Sequence, residues 1–187
     1  HCVTRRQRQM CIRDSNGYTT GDVTITATSL EGNAADLLTA TANAGTGVVA
    51  SGLEIPVTVT DTGAIDAAVL VDLIDDVDAN GEVVTVSSNA TTLTGTQAEV
   101  ATLVVDFAAD HIVGIDTLAV TLEDGDGNTS ANIGTIQAFT SGVVTATVTT
   151  TAIATLVHAD NGLVAGSDAL TVTVATQALS ASDLVTL

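Results

Sequence analysis

The sequence predicts an α/β protein: a parallel β/α solenoid of about six strand–helix units. One observation is an internal repeat, because "ATSLEGNAADLLTA" from Ala27 returns as "ATTLTGTQAEVATL" from Ala90 and more faintly as "ATVTTTAIATLVHA" from Ala146. Three similar stretches begin near Pro56, Ala119 and Leu170, between or after these copies. The other observations are alternating apolar residues at the start of each stretch and helix-start signals behind them.

Six stretches alternate apolar with polar or small residues at a period of two, which is typical of strands with one buried face. The alternation is clear at 55–59, 118–122, 144–148 and 170–174, and it is shorter around Ile25 and at 84–86. We therefore expect one strand at the beginning of each unit.

A helix is predicted after each strand. Asn33, Thr96 and Ser180 each stand three residues before a carboxylate, the spacing of a capping box or a close relative of it. Asp66, Thr151, and either Thr129 or Ser130 are the expected starts of the other three helices. Apolar residues then follow at helical spacing, as in the two sets Val69, Leu70, Leu73, Ile74 and Val100, Leu103, Val104, Phe107.

The spacing of the strands predicts one continuous parallel sheet. Each step in the series Val57, Val84, Val120, Ala146 and Val172 leaves room for one crossover helix but not for a globular insert. The residues expected in the core are Ile55, Val57, Val59, Val120, Val148, Val172 and Val174 on the sheet and Leu37, Leu70, Leu103, Ile136, Leu156 and Leu184 on the helices. A tandem array of immunoglobulin-like β-sandwiches is the alternative, and it requires antiparallel strands.

Charge is distributed unevenly along the chain. The formal net charge is −18, and all four arginines lie between Arg5 and Arg13. Asp14 is the only acidic residue in the segment 1–15, so the remainder holds all the other acids and neither lysine nor arginine. Such a polyanion is expected to repel nucleic acid. No apolar run approaches the about 20 residues of a membrane span, so no span is expected.

The opening stretch, "HCVTRRQRQMCIRDS", also holds both cysteines and the only methionine. Its letters "RRQRQMCIRDS" resemble translated sequencing-adapter sequence at the ends of metagenomic reading frames. The resemblance implies that residues 1–15 are a non-native or disordered leader. Residues 16–187 are then expected to form a single elongated repeat domain, a fragment of a longer protein.

Calcium is the one cofactor that the sequence suggests, at two acidic turns. In "DDVDANGE", Asp76, Asp78, Asn80 and the carbonyl of Glu82 have the one-three-five-seven spacing of a calcium loop. Ser87 occupies the twelfth position, where such a loop usually has a glutamate.

The second turn, "EDGDGNTS", offers Asp124, Asp126 and Asn128 and also lacks a closing carboxylate. Both turns therefore have incomplete ligand sets, and Asp, Asn and Gly are equally typical of solvated turns.

Threonines recur on the predicted strands. In a single sheet, Thr58, Thr85, Thr121, Thr147 and Thr173 are expected to form one stack on the solvent face. Such rows resemble those of ice-binding proteins, and an ice- or glycan-binding face is the alternative function that they suggest. Threonine is also common on exposed strands for its strand propensity alone.

Catalytic patterns are weak, and we expect no enzyme. His111 and His158 each lie near an aspartate, but no serine, cysteine or second histidine stands at the spacing of a nucleophile or zinc site. Both histidines are expected to cap the last turn of a helix. A parallel-β polysaccharide-active enzyme is the least favoured alternative, because no lysine or arginine follows Arg13.

The words "GNAADLLTA", "GTQAEVATL" and "VVTATVTTTAIATL" resemble tandem Thr/Ala/Val-rich repeats of very large surface-exposed or secreted proteins of cyanobacteria and other aquatic bacteria. The resemblance covers most of residues 22–187 and implies an extracellular or cell-surface location. It also implies a structural or adhesive role as a rigid spacer, with neighbouring repeats and cell-surface glycan as the expected partners.

Overall fold

A computed structural model describes residues 23–24, 28–42, 48–49, 56–78, 82–123, 128–150 and 168–174. The described part contains short strands and helices of 9 to 12 residues. In chain order the elements are β1 (Val23–Thr24), β2 (Leu30–Gly32), α1 (Ala34–Ala42), β3 (Val48–Val49), β4 (Val57–Val59), β5 (Gly63–Asp66), α2 (Ala67–Asp78), β6 (Val84–Val86), β7 (Ala90–Gly95), α3 (Gln97–Ala108), β8 (Ile112–Val113), β9 (Ala119–Leu122), α4 (Ser130–Phe139), β10 (Val144–Thr150) and β11 (Ala169–Val174).

All strand pairs among the described residues are parallel. One sheet has the order β2-β4-β6-β8, a second has the order β5-β7-β9-β10-β11, and β1 pairs with β3. The α/β class and the parallel pairing predicted from the sequence are therefore confirmed. The immunoglobulin-like alternative does not describe this part of the chain, because it needs antiparallel neighbours.

A common unit runs through the middle of the chain: a strand in the four-stranded sheet, a strand in the five-stranded sheet and then a helix. The elements β4-β5-α2, β6-β7-α3 and β8-β9-α4 follow this order. Val57 pairs with Val84 and Val84 pairs with Ile112, so neighbouring units repeat at a nearly constant offset. The same part of each unit therefore lies beside its counterpart in the next.

The prediction of one continuous sheet with one strand per unit is wrong. Val57 and Val59 belong to the four-stranded sheet, whereas Val120 and Val148 belong to the five-stranded sheet. The step from Val84 to Val120 is longer than the others in its series because it passes from one sheet to the other. Val120 pairs with Leu93 of β7, a strand that was not predicted from the sequence, and with Val144 of β10.

Aliphatic side chains from both sheets and from the helices form one buried cluster. The predicted burial is confirmed for Val57, Val59, Val120, Val148, Leu37, Leu70, Leu103 and Ile136. Val172 and Val174 lie on β11, and Ile55, Leu156 and Leu184 lie outside the described residues. Aromatic contact in this region is an edge-to-face pair of Phe107 and Phe139, with ring centroids 5.2 Å apart.

The predicted helix starts agree with the structure where it describes them. At α3, the Thr96 hydroxyl accepts a hydrogen bond from the Glu99 N–H while the Glu99 carboxylate accepts one from the Thr96 N–H, a complete capping box. Asn33, Asp66 and Thr129 likewise accept hydrogen bonds from backbone N–H groups in the first turns of α1, α2 and α4. Thr151 and Ser180 lie outside the described residues.

Helix α3 ends in a tight left-handed turn. Asp110 has a φ of 62°, its N–H donates to the Phe107 carbonyl, and the His111 N–H donates to the Asp106 carbonyl at 2.9 Å. These two bonds form a Schellman motif, which usually places glycine where Asp110 stands. The chain then enters β8, where the His111 carbonyl accepts a hydrogen bond from the Val84 N–H of the preceding unit.

Candidate functional site

The predicted stack of five threonines is wrong, because its members are divided between the two sheets. Thr58 pairs with Thr85 in the four-stranded sheet, and the next partner in that row is Val113. Thr121 lies in the five-stranded sheet. The stack was predicted on the assumption of a single sheet, and it is absent because these strands belong to two sheets.

The actual register builds a different row, on the five-stranded sheet. Thr94 pairs with Thr121, and Thr121 pairs with Thr145. The flanking residues of β9, Val120 and Leu122, are buried, so the threonines occupy the opposite, outer face of the strand. Neighbouring strands are about 4.8 Å apart, which sets the spacing of the hydroxyl groups in this row.

Further threonines extend this face along the last two strands. Thr147 of β10 pairs with Thr171 of β11. The step along the chain from Thr121 to Thr145 is shorter than the step from Thr94 to Thr121, yet the register is kept. The shorter step is possible because only residues 140–143 connect α4 to β10, with no strand of the four-stranded sheet between them.

The three threonines of the row carry no charge, and the row ends on both sides at residues that are not threonine. At one side Thr94 pairs with Asp66, whose carboxylate accepts a hydrogen bond from the Ala68 N–H, and at the other side Thr145 pairs with Ala169. The Thr94 hydroxyl donates to the Ile65 carbonyl at 3.2 Å. Each threonine hydroxyl can both donate and accept hydrogen bonds, so the row offers hydrogen-bonding groups to hydroxyl groups or water.

The first predicted calcium turn is partly helical. Asp76 and Asp78 belong to the last turn of α2, and the Asp76 carboxylate accepts a hydrogen bond of 3.0 Å from the Thr41 hydroxyl of α1. Glu82 lies just before β6, and Asn80 lies outside the described residues. Asp76 thus links α1 and α2, a contact that was not predicted from the sequence.

The second predicted turn is described only at its ends. Asp124 and Asp126 lie outside the described residues, whereas Asn128 is only 2% exposed. The amide nitrogen Nδ2 of Asn128 donates to the Thr147 carbonyl at 3.1 Å and to the Glu123 carbonyl at 3.5 Å, and its oxygen Oδ1 is buried without a hydrogen-bond partner. Asn128 therefore joins two units.

Metal-binding groups are not brought together in the described ranges, where no cluster of three or more His, Cys, Asp or Glu side chains is found. Calcium binding at either turn therefore stays a prediction from the sequence.

Two aspartates link successive units, and neither was predicted from the sequence. The Asp61 carboxylate accepts a hydrogen bond from the Ala34 N–H at 2.7 Å. Asp168 accepts from the Val144 N–H through Oδ1 and from the Gln137 amide through Oδ2, each at 2.6 Å. An aspartate beside a short strand is indistinguishable in the sequence from any turn residue, so only the fold reveals these contacts.

The imidazole of His111 lies beside the end of α3. Its Nδ1 atom is 3.7 Å from Oδ1 of Asp106, and its backbone N–H donates to the Asp106 carbonyl. His111 thus stands at the end of a helix, as expected, but the hydrogen bond that closes the last turn comes from its backbone N–H, so capping by the imidazole stays a prediction. His158 lies outside the described residues.

No described helix is able to cross a membrane, because the longest have 12 residues and a span needs about 20. Comparisons with protein families, curated proteins and solved structures found no match to the chain. The unit-to-unit contacts and the threonine face are thus the features from which a function can be inferred.

Proposed function

We propose that this chain is a structural repeat segment of a large extracellular or cell-surface bacterial protein, folded as a parallel β/α solenoid of about six units. The observation that carries the proposal is the regular register, in which Val84 pairs with Val57 on one side and with Ile112 on the other although the three lie far apart in the chain. A unit this small cannot bury its apolar face alone and relies on its neighbours for a core.

Hydrogen bonds between units support this arrangement. The Thr60 N–H donates to the Gly32 carbonyl at 2.7 Å, and one unit later the Ser87 N–H donates to the Val59 carbonyl at 2.9 Å. Farther along, the buried Thr140 hydroxyl donates to the Leu118 carbonyl at 2.6 Å. These hydrogen bonds, made beside the strands, thus reinforce the stacking of neighbouring units and favour a rigid domain.

Stiffness is a better account of the role than length. Each unit adds only one strand spacing, about 4.8 Å, to the stack. The residues of one unit, if fully extended, would reach about 90 Å. We infer that the segment serves as a rigid, broad-faced support rather than as a long tether.

The charge of the chain supports a location outside the cell in salt-containing water. Beyond Arg13 the acidic residues have no lysine or arginine to neutralise them, so the carboxylates repel one another until ions screen them. The proposal includes no catalytic activity.

A unit deletion tests the repeat. Removal of residues 84–111 takes out β6, β7 and α3, after which Ile112 can pair with Val57 and Val120 with Ile65. The shortened chain is expected to unfold in one cooperative transition, with a smaller urea m-value because less surface is buried.

The matched control removes residues 98–111, half as many. It is expected not to fold, because it deletes nearly all of α3 and leaves β6 and β7 in place. Equal loss of folding in both variants would contradict interchangeable units.

The location has its own test. An antibody raised against residues 56–150 is expected to label intact cells of the source organism. Labelling only after the cells are made permeable would contradict a surface location and would leave the repeat architecture unaffected.

The second candidate function is binding of a neutral glycan or of ice by the threonine face. It is favoured by one observation, the in-register row of Thr94, Thr121 and Thr145, three uncharged side chains in a highly acidic chain. The test is retention on insoluble cellulose and chitin, together with inhibition of ice recrystallisation. Thr121→Lys is expected to abolish whichever activity is found, whereas Thr102→Lys, at an exposed position of α3, is expected to retain it. No activity in the unaltered chain would exclude this candidate.

A further inference from the structure

We draw no further inference here: the strongest candidate, the buried and unpartnered amide oxygen of Asn128 at the base of the turn before α4, carries nothing because the carboxylates that would complete a site there belong to residues 124–127, which lie outside the described part of the chain.

Discussion

The Asp61 carboxylate and the Ala34 N–H form a hydrogen bond of 2.7 Å between residues 27 positions apart in the chain. Ala34 is the first residue of α1, whose N-terminal N–H groups have no partner within the helix. A carboxylate at this place also interacts favourably with the positive end of the helix dipole. Asp61 therefore connects the start of one helix to the following unit.

Replacing Asp61 by alanine is expected to lower the free energy of unfolding by about 1 kcal/mol, the usual cost of losing a helix cap. The matched control is Asp72→Ala, which removes the same charge from an exposed position of α2 and is expected to change stability by less than about 0.5 kcal/mol. Urea denaturation followed by circular dichroism measures both. A cost for Asp61→Ala no larger than that of the control would show that the contact does not stabilise the fold.

Two glycines provide a matched pair for testing how closely the units approach. Gly114 has a φ of +85°, and a Cβ atom on it would lie 2.3 Å from the carbonyl oxygen of Val86, in the preceding unit. Gly63 has a similar φ of +90°, but nothing lies within 4 Å of a Cβ placed there. The two positions therefore differ in steric contact and share a positive φ, which glycine adopts freely and alanine does not.

Gly63→Ala is expected to cost about 1 kcal/mol, from the positive φ alone. Gly114→Ala is expected to cost at least about 2 kcal/mol more, because the Val86 carbonyl must also move. Chemical denaturation of the two variants gives the difference. Equal losses of unfolding free energy would mean that Gly114 does not lie as close to the Val86 carbonyl as the structure describes.

Salt is expected to stabilise the folded chain. With a net charge of −18 on 187 residues, screening of the carboxylates should raise the melting temperature in sodium, magnesium and calcium salts of matched ionic strength. A melting temperature that does not change with salt would contradict the proposal that repulsion between the carboxylates suits this protein to salt-containing water.

An additional rise in calcium alone is expected if the turn that follows α2 binds the ion, because a ligand that binds only the folded state stabilises it. Asp78→Ala is expected to remove that additional rise, whereas Asp72→Ala, on the same helix, is expected to keep it. Melting curves that are superimposable in calcium and magnesium would exclude a calcium-specific site at Asp78.

The strands and helix starts that were predicted correctly share a local signal. Alternation at 144–148 identified β10 because Val144, Ala146 and Val148 are buried. Thr96 with Glu99 identified the start of α3 because a capping box is complete within one helical turn. Neither inference needed information from distant parts of the chain.

The second strand of each unit gave no comparable signal. In β5 the buried Ile65 stands between the exposed residues Ala64 and Asp66, so the strand offers only one large apolar residue. In β7 only Leu93 is a large apolar residue, and the Thr-rich letters around it lead directly into a helix cap. Strands this short are defined by their neighbours in the sheet, which the sequence of one unit does not contain.

The threonine row and the links between units could not be predicted without the second strand of each unit. The five-threonine stack assumed that Thr85 and Thr121 are neighbours, whereas β7 brings Thr94 beside Thr121. The linking roles of Asp61 and Asp168 likewise arise from contacts between units, which no motif within a single unit can predict.

Disulfide cross-linking tests the arrangement of two parallel sheets most directly. In a chain whose Cys2 and Cys11 are replaced by serine, cysteines at positions 94 and 121 would lie on paired strands, about 4.8 Å apart at their Cα atoms and within the range of a disulfide. We expect this pair to oxidise readily, and we expect cysteines at positions 85 and 121, which lie in different sheets, to remain reduced under the same conditions. Cross-linking of the 85–121 pair, with none in the 94–121 pair, would contradict the two-sheet unit on which the proposed function rests.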